Sequence, residues 1–376
     1  MRRLTLEARE DWRGKVEALG LVWHTPDGAP YWDESVAYSF SRAEIAELEA
    51  ATEALYGMFL GAGDYIVGHR LFRRFGVPEW CWGLIEDSWR KSPPTLNYGR
   101  FDLGYDGLGP PKLFEFNCDT PTALLEAAVV QWAWKDEVFP AADQFNSLHD
   151  KLVAKWRDIA PHLASNLVHF THARDVLGED AVTTAYLMDT AETAGLKTRR
   201  LLAAEIGWDG GRFVDLQHTE IRTLYHLYPW EWLVSEPFGR HIANADRTRW
   251  IEPIWKMIWS NKAILPILWE LFPRHPNLLA ASEAPIPGDY ARKPILAREG
   301  GNIEIVRDGR RAAASDGVYG SSPVIYQALY DLPDFGGVYP VLGAWVVDGE
   351  PAGLGVREDG LITGNLARFV PHIIED

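Results

Sequence analysis

Residues 96–125 read LNYGRFDLGYDGLGPPKLFEFNCDTPTALL, and this stretch places polar side chains on two short predicted strands. Side chains alternate between the faces of a strand, so residues two apart point the same way. Arg100 and Asp102 form such a pair before the connection GYDGLGPP, and Glu115 and Asn117 form another after it. A connection rich in glycine and proline is typical of a turn that folds one strand back beside the other. We therefore expect all four side chains on one face of a hairpin.

This face of the hairpin has the composition of a metal site. Asp102, Glu115 and Asn117 would offer two carboxylates and one amide carbonyl, oxygen ligands that suit magnesium better than zinc. Arg100 would supply a planar positive group for a phosphate or a carboxylate. The alternative is an ordinary hairpin whose polar residues face water, and the spacing alone leaves both interpretations open.

The segment after the second strand has the pattern of a helix start. Thr120 fits the N-cap, Pro121 fits the first helical position, and an apolar run from Ala123 to Trp134 follows. Because a helix N-terminus attracts anions, this segment would contribute to a site for phosphate or carboxylate. Cys118 is expected to be a small, buried and inert thiol rather than a nucleophile.

The composition argues against several classes of protein. A formal net charge of −16 is unfavourable for a nucleic-acid-binding protein, which needs a basic surface. Two cysteines make neither a disulfide framework nor a cysteine metal site, which predicts a reducing, cytoplasmic location. The N-terminus has no secretory signal and no apolar segment is long enough to cross a bilayer, so no membrane insertion is expected.

Periodicity predicts a helical N-terminal part, with helices over Thr5–Gly20, Ser41–Gly68 and Pro78–Lys91 and with Ser41 as an N-cap. The sequence from 166 to 206 then predicts a strand, a helix and a second strand, which is a βαβ unit with parallel pairing. This unit lacks a Gly-x-Gly-x-x-Gly turn, so no dinucleotide site is expected on it.

The C-terminal third is rich in predicted strands and holds a second candidate phosphate site. Lys293 precedes the glycine bend at 298–302, where backbone N–H groups could cover phosphates. A Walker A motif is absent. Alone, this segment favours the simpler interpretation, an ordinary hairpin with a solvated Lys293. A further hairpin is predicted with its turn at Asp348–Gly349.

Taken together, these segments resemble the glutathionylspermidine synthase family in its stand-alone synthetase form. The resemblance extends from about residue 70 to the C-terminus and rests on NYGRFDLGYDG, FEFNCDTPT, LYPWEWL, SNKAILPILWELFP, RKPILAREGGNI, IYQALYDLP and GVREDGLITGNLARFVPHI. It implies an ATP-grasp-type fold of mixed α+β or α/β class. Within the catalytic unit 1–376, it implies a helical lobe with the hairpin (1–165), a βαβ pre-ATP-grasp region (166–250) and an ATP-grasp nucleotide-binding region (251–376).

The resemblance also assigns roles to individual residues. It implies that magnesium is bound by Asp102, Glu115 and Asn117, that Arg100 and Arg357 act in catalysis at the phosphates, and that Thr120 contacts the acid substrate. The residues it implies for ATP binding are Arg100, Asp102, Lys262, Lys293, Glu299, Gly300, Gln327, Ala328, Leu329, Tyr330, Ile362 and Thr363. Of these, Gln327–Tyr330 are implied to hold the adenine through their backbone.

The activity implied is that of an ATP-dependent carboxylate–amine ligase with an acyl-phosphate intermediate and ATP and Mg²⁺ as cofactors. The expected partners are small molecules: glutathione or a peptide as the acid, and a polyamine as the amine. Bifunctional members carry an additional amidase domain, and we expect none here. Two alternatives remain, a nucleotide-binding regulatory or scaffold protein without turnover and a ligase acting on a peptide or protein terminus.

Overall fold

The computed structural model describes residues 1–91, 94–245 and 247–375. The α-helices of these residues are α1 (Trp12–Ala18), α2 (Arg42–Gly68), α3 (Trp82–Lys91), α4 (Gln131–Val138), α5 (Leu148–Ile159), α6 (Glu179–Thr193), α7 (Trp230–Leu233), α8 (Lys256–Trp259) and α9 (Ile264–Leu271). The strands are β1 (Arg2–Thr5), β2 (Val36–Ser41), β3 (Tyr98–Gly104), β4 (Lys112–Asn117), β5 (Leu167–His172), β6 (Lys197–Leu202), β7 (Gly207–Trp208), β8 (Phe213–Val214), β9 (Thr223–Leu227), β10 (Arg249–Ile251), β11 (Ala281–Ser282), β12 (Tyr290–Pro294), β13 (Glu304–Arg307), β14 (Arg310–Ala314), β15 (Val324–Ala328), β16 (Tyr339–Val347), β17 (Glu350–Asp359), β18 (Arg368–Val370) and β19 (His372–Glu375).

The predicted hairpin is confirmed and forms one end of a five-stranded antiparallel sheet in the order β18-β17-β16-β3-β4. In the β3–β4 register, Arg100 lies opposite Asn117 and Asp102 lies opposite Glu115. The β16–β17 hairpin continues the sheet, and its predicted turn at Asp348–Gly349 is also confirmed. Both turn residues have positive φ, as a tight two-residue hairpin turn requires.

The other face of the β3–β4 hairpin is apolar and packs against α2. Phe101 and Phe116 lie opposite each other in the ladder and stack with ring centroids 3.8 Å apart. Phe59 of α2 contacts both rings edge-on, at 5.5 and 5.1 Å. Because neighbouring residues of a strand point to opposite faces, burial of these phenylalanines directs the polar side chains between them to the opposite face.

Helix α2 begins as the sequence predicts. The Ser41 side chain accepts a hydrogen bond from the Glu44 N–H at 3.3 Å, and the Glu44 carboxylate accepts one from the Ser41 N–H at 2.8 Å. This reciprocal pair satisfies two of the N–H groups that a helix start leaves without partners. The helix then buries an apolar face that includes Leu48 and Leu55.

Two further sheets complete the frame of the site. The predicted βαβ unit is confirmed as β5–α6–β6, inside a parallel sheet of order β10-β9-β5-β6. An antiparallel sheet of order β11-β15-β12-β13-β14 carries Lys293 on β12 and Gln327 on β15. The fold is therefore of mixed α/β class.

The predicted helix over Thr5–Gly20 is wrong in its first half. Arg2–Thr5 is a strand that pairs with β2, and β2 pairs in parallel with β19 at the other end of the chain. Helical structure is confined to Trp12–Ala18. The partner of β1 is distant in sequence, so local periodicity could not reveal it.

Within the residues described, no helix combines the length and the apolar composition that a transmembrane span requires.

Candidate active site

A cavity of about 200 Å³ lies between the polar face of the β3–β4 hairpin, the β12–β15 sheet and the glycine bend after β12. All sixteen residues predicted for the site line it. These are Arg100, Asp102, Glu115, Asn117, Thr120, Lys262, Lys293, Glu299, Gly300, Gln327, Ala328, Leu329, Tyr330, Arg357, Ile362 and Thr363. The structure thus brings together side chains from segments more than 250 positions apart.

Asp102 is buried and is held by two arginines. Arg100 Nε lies 2.7 Å from Asp102 Oδ1 and its second terminal nitrogen lies 3.2 Å from Oδ2, which is a two-pronged contact. Arg357, which lies on strand β17, donates to Asp102 Oδ2 at 2.7 Å. Arg100 also donates to the Thr122 carbonyl at 2.6 Å. Both arginines predicted for catalysis are therefore fixed on the same carboxylate, at the cavity wall.

Glu115 is paired with a lysine from a distant part of the chain. Lys262 Nζ lies 2.6 Å from Glu115 Oε2, and it also donates to the Ala297 carbonyl at 2.6 Å. Burial alone would raise the pKa of Glu115, but the charge and hydrogen bond of Lys262, with Lys293 beyond it, hold this pKa well below its usual range. Glu115 is therefore ionised at neutral pH and available as an anionic ligand.

Lys293 lies deeper in the cavity, between two strands. Its Nζ donates to Gln327 Oε1 at 2.6 Å and to the Phe114 carbonyl at 3.3 Å. Burial lowers the pKa of Lys293 to about 8, against the opposing effect of Glu115. The lysine thus has its charge weakly stabilised in the free protein, and an anionic ligand would restore that stabilisation.

The residues predicted to bind magnesium fit that ion in their chemistry. Asn117 Nδ2 lies 3.3 Å from Asp102 Oδ2 and 3.2 Å from Glu115 Oε1, so the three side chains converge on one point. In the described part of the chain, no group of three or more His, Cys, Asp or Glu side chains could hold a metal ion. The amide nitrogen of Asn117 faces the two carboxylates, so this amide group would have to turn round to offer its oxygen and complete an all-oxygen set, which suits a cation that keeps several waters.

The glycine bend after β12 closes one side of the cavity. Glu299 and Gly300 both have positive φ, at 56° and 69°. A Cβ atom on Gly300 would lie only 2.5 Å from the Thr363 carbonyl oxygen, so glycine is required both by conformation and by space. The Ser315 hydroxyl donates to the Gly300 carbonyl and holds the bend from the side of β14.

The segment predicted to hold the adenine uses part of its backbone within the protein. The Ala328 N–H donates to the Ala280 carbonyl at 2.7 Å, and the Leu329 N–H donates to the Asp289 carbonyl at 3.0 Å. Contact of Gln327–Tyr330 with a base stays a prediction, and it would have to use carbonyls or groups other than these two N–H donors.

Thr120 lines the cavity, but its predicted role as an N-cap is wrong. Helical backbone starts only at Leu124, and Glu126–Val130 form a π-helical turn before α4. Ala123 has φ of 63°, which interrupts the helix between Thr120 and Leu124. The Thr120 hydroxyl instead accepts a hydrogen bond from Arg298 at 2.8 Å.

Sequence reasoning missed several charged residues of the site. Arg298 lines the cavity, directly before Glu299, and is paired with Glu231 of α7 at 2.7 Å. The motifs REGG and PWEW held both residues, but nothing in their spacing showed that they meet. Glu179 and Asp180 begin α6, where acidic residues are common in any first turn, so no signal in the sequence marked them as part of a site.

Glu179 and Asp180 lie close to the cavity residues. Burial raises the pKa of Glu179, while a hydrogen bond from Thr122 opposes this rise. Burial, followed by the charges of Asp175 and Glu179, raises the pKa of Asp180 to about 7. Carboxylates that repel each other and are partly removed from water would gain from a cationic ligand between them.

The fold has a counterpart among solved structures. It aligns with a glutathione synthetase-like effector from Globodera pallida in its apo form, at a TM-score of 0.57, with 97% of this chain and 95% of that chain covered and 11% sequence identity. The architecture is thus of the ATP-grasp type, as expected.

The family follows from the sequence. The family model described as "Glutathionylspermidine synthase preATP-grasp" matches residues 3–375, and the chain belongs to this family. A Haemophilus influenzae protein named "Putative acid--amine ligase" is 40% identical over 392 residues, with 99% of both chains covered. Trypanothione synthetase of Crithidia fasciculata is 32% identical over 82% of this chain and 52% of its own length. The bifunctional glutathionylspermidine synthetase/amidase of Escherichia coli is 28% identical over 86% of this chain and 56% of its own length.

The chain therefore spans about half the length of the last two relatives and nearly all of the first. Membership of this family makes the protein an ATP-dependent C–N ligase that joins an acid to an amine.

Proposed function

We propose that the protein joins a small carboxylic acid to an amine through an acyl phosphate. In the first step, a carboxylate oxygen of the acid bonds to the γ-phosphorus of ATP, and the bond from that phosphorus to the β-bridging oxygen breaks to release ADP. In the second step, the amine nitrogen bonds to the acyl carbon, and inorganic phosphate leaves. The observation that carries this proposal is the set of four basic side chains around the paired Asp102 and Glu115.

The charge balance of the cavity favours a magnesium nucleotide. Five basic side chains of the lining outnumber its three carboxylates, so the free site carries a net positive charge. The basic residues are Arg100, Lys262, Lys293, Arg298 and Arg357, and the acidic ones are Asp102, Glu115 and Glu299. Asp102, Glu115 and Asn117 would hold magnesium, which when bound neutralises charge on the phosphates. The two arginines would then stabilise charge on the transferred phosphoryl group.

The acid would be bound where Arg298 and Thr120 meet at the cavity wall. A guanidinium and a hydroxyl are suitable donors for a carboxylate. Both groups lie on segments next to the phosphate-binding face, since Thr120 follows Asn117 closely in the chain and Arg298 precedes the glycine bend. An acid held there would have its reacting oxygen near the γ-phosphate, which is the condition for in-line transfer.

The amine would approach from the start of α6. Glu179 and Asp180 would attract its ammonium form, and Asp180, with its pKa of about 7, could accept the proton that the nitrogen must lose before it attacks. The names of the relatives suggest glutathione or a similar peptide as the acid and a polyamine as the amine, and we propose the same classes here.

A substrate screen with a trapping reagent tests the proposal. Purified protein with ATP and Mg²⁺ is incubated with glutathione or simple dipeptides, with spermidine or other diamines, and ADP release is measured. Hydroxylamine should replace the amine and give a hydroxamate of the acid, because it reacts with acyl phosphates. Asp102→Asn should abolish both the ADP release and the hydroxamate formation.

A matched variant controls for general damage to the protein. Asp209→Asn removes an acid that is paired with Arg212 at 2.7 Å outside the cavity lining, and it should leave ADP release unchanged. ADP release that depends on no acid, or acid-dependent ADP release without any hydroxamate, would contradict the proposal.

A further inference from the structure

The Arg298 guanidinium is held in one direction by two partners, Glu231 on helix α7 and Thr120. Its Nε and one terminal nitrogen both donate to Glu231 Oε1, at 2.9 and 2.7 Å, and its other terminal nitrogen donates to Thr120 Oγ1 at 2.8 Å. We propose that Glu231 is a positioning residue for the ligase reaction, which acts by aiming the Arg298 guanidinium at the acid substrate. This inference rests on the proposed function, in which Arg298 contacts the acid.

The contacts leave Arg298 able to bind a ligand while its orientation is set. An arginine has five N–H groups in a rigid plane, and three of them are used by Glu231 and Thr120. Two N–H groups therefore stay available, and their directions follow from the plane that Glu231 imposes. Since Arg298 lines the cavity, rotation of this plane would change where a carboxylate is held.

Glu231 is itself held firmly enough to act as a reference point. It lies on the short helix α7, next to Trp230, which is 1% exposed. The Trp230 N–H donates to Asp119 Oδ2 at 2.8 Å, and Asp119 directly precedes Thr120. Helix α7, the segment at Asp119–Thr120 and the glycine bend are thus joined in a closed ring of contacts, in which Arg298 and Thr120 line the cavity.

A purely structural role for the pair is the alternative. The side chains of Arg298 and Glu231 are only 26% and 14% exposed, so the pair is mostly shielded from solvent, and removal of Glu231 would also leave the Arg298 guanidinium unpaired. A fall in melting temperature is therefore compatible with both roles. The positioning role predicts a loss of activity that is specific to the acid and depends on Arg298, whereas a purely structural role predicts a similar loss of kcat/KM for the acid and for ATP.

A double-mutant cycle in the full-length protein tests the inference kinetically. Glu231→Ala should lower kcat/KM for the acid by about tenfold or more, with the KM for ATP changed by less than about twofold. Glu231→Gln, whose amide oxygen can still accept from Arg298, should restore part of the loss. In an Arg298→Ala background, Glu231→Ala should have no further effect, because a residue that acts only through Arg298 has nothing left to position.

Glu283→Ala is the matched control, because Glu283 pairs with Arg74 at 2.6 Å and does not line the cavity. It should leave all kinetic constants unchanged. The inference is overturned if the losses from Glu231→Ala and Arg298→Ala simply multiply in the double variant, or if Glu231→Ala raises the KM for ATP as much as that for the acid.

A second measurement needs no substrate and separates this inference from the proposed function. In ¹⁵N NMR of the free protein, the Arg298 Nε–H should exchange with water at least about tenfold more slowly than in Glu231→Ala, because Glu231 accepts its hydrogen bond. Equal exchange rates would overturn the positioning role even in an active enzyme. Slow exchange in a protein that forms no hydroxamate with any acid would still support Glu231 as the residue that orients Arg298. The same result would contradict the proposed acyl-phosphate chemistry.

Discussion

At the scale of single residues, the basic side chains around Asp102 and Glu115 are of two kinds: three are paired with carboxylates, and one is not. Arg100 and Arg357 are fixed on Asp102, and Lys262 is fixed on Glu115. Lys293 rests on the neutral Gln327 amide and a carbonyl, and its pKa is lowered. This difference suggests that the cations do not share one task.

Alanine variants of two of these residues should therefore behave differently. Arg100→Ala should lower kcat and kcat/KM together, by about 3 kcal/mol or a hundredfold and more, while ATP affinity changes little, because Arg100 meets charge on the transferred group. Lys293→Ala should mainly weaken ATP binding, since its partner oxygens are charged before the reaction as well. Steady-state kinetics and equilibrium binding of ATP measure the two effects.

The conservative variant Arg100→Lys serves as the control for charge. It should not restore full activity, because an ammonium cannot reproduce the two-pronged contact with Asp102. An Arg100→Ala enzyme with normal turnover at saturating ATP but much weaker nucleotide binding would show that the roles of Arg100 and Lys293 are exchanged.

At the scale of secondary structure, the glycine bend after β12 depends on one residue without a side chain. Gly300→Ala should raise the KM for ATP strongly, because its Cβ would collide with the Thr363 carbonyl and displace the bend. Gly309→Ala is a close control, since Gly309 has the same φ of 69° but a Cβ added there would meet no atom within 4 Å. It should cost only about 1 kcal/mol of unfolding free energy and leave the KM for ATP unchanged. Similar KM values for the two variants would contradict a role for the bend in nucleotide binding.

The elements that the sequence predicted correctly carry local signals. The alternation in β3 and β4, the Ser41–Glu44 capping pair and the βαβ unit all arise from residues a few positions apart. The predictions that were wrong depended on distant partners. The helix predicted over Thr5–Gly20 begins only at Trp12, and Thr5 belongs to a strand that β2 pairs with. Thr120 does not cap a helix, because Ala123 interrupts the backbone and Arg298 donates to the Thr120 hydroxyl.

At the scale of the whole molecule, the two ends of the chain meet in one structure. Strand β19 pairs with β2, and His372 of β19 contacts Gln131 at the start of α4 through Nδ1 at 2.9 Å. Its Nε2 accepts the Phe145 N–H at 3.2 Å, so the ring is a neutral tautomer with one donor and one acceptor. These contacts between the C-terminal strand and residues 131–145 could not be predicted from the sequence, because they span more than 200 positions.

The buried His372 should make the unfolding free energy dependent on pH. Burial lowers the pKa of His372 to about 3, whereas the unfolded chain takes up a proton near pH 6.5. Below about pH 6.5 the unfolded state binds a proton that the folded state does not, so stability falls with decreasing pH, by about 1.4 kcal/mol per unit from this residue. The unfolding free energy, measured with urea between pH 7 and 5, should depend less steeply on pH for His372→Gln than for the native chain. Exposed His162→Gln should keep the native slope, and an unchanged slope in His372→Gln would contradict the assignment.

The proposed residue roles and the division into lobes at 165 and 250 remain predictions, since the fold fixes where the residues lie and not what they bind. What the sequence could not supply was the meeting of Arg298, Glu231 and Thr120, which belong to three separate segments. Their contacts depend on the packing of the β12–β15 sheet beside the hairpin.

The central claim is that the acid is activated as an acyl phosphate, and oxygen transfer tests it most directly. The reaction is run with an acid labelled with ¹⁸O in its reacting carboxylate, and the products are analysed by mass spectrometry. Formation of the acyl phosphate transfers one carboxylate oxygen to phosphorus. We therefore predict one ¹⁸O atom in the inorganic phosphate and ADP as the nucleotide product. Appearance of the label in AMP, with release of pyrophosphate, would contradict the account.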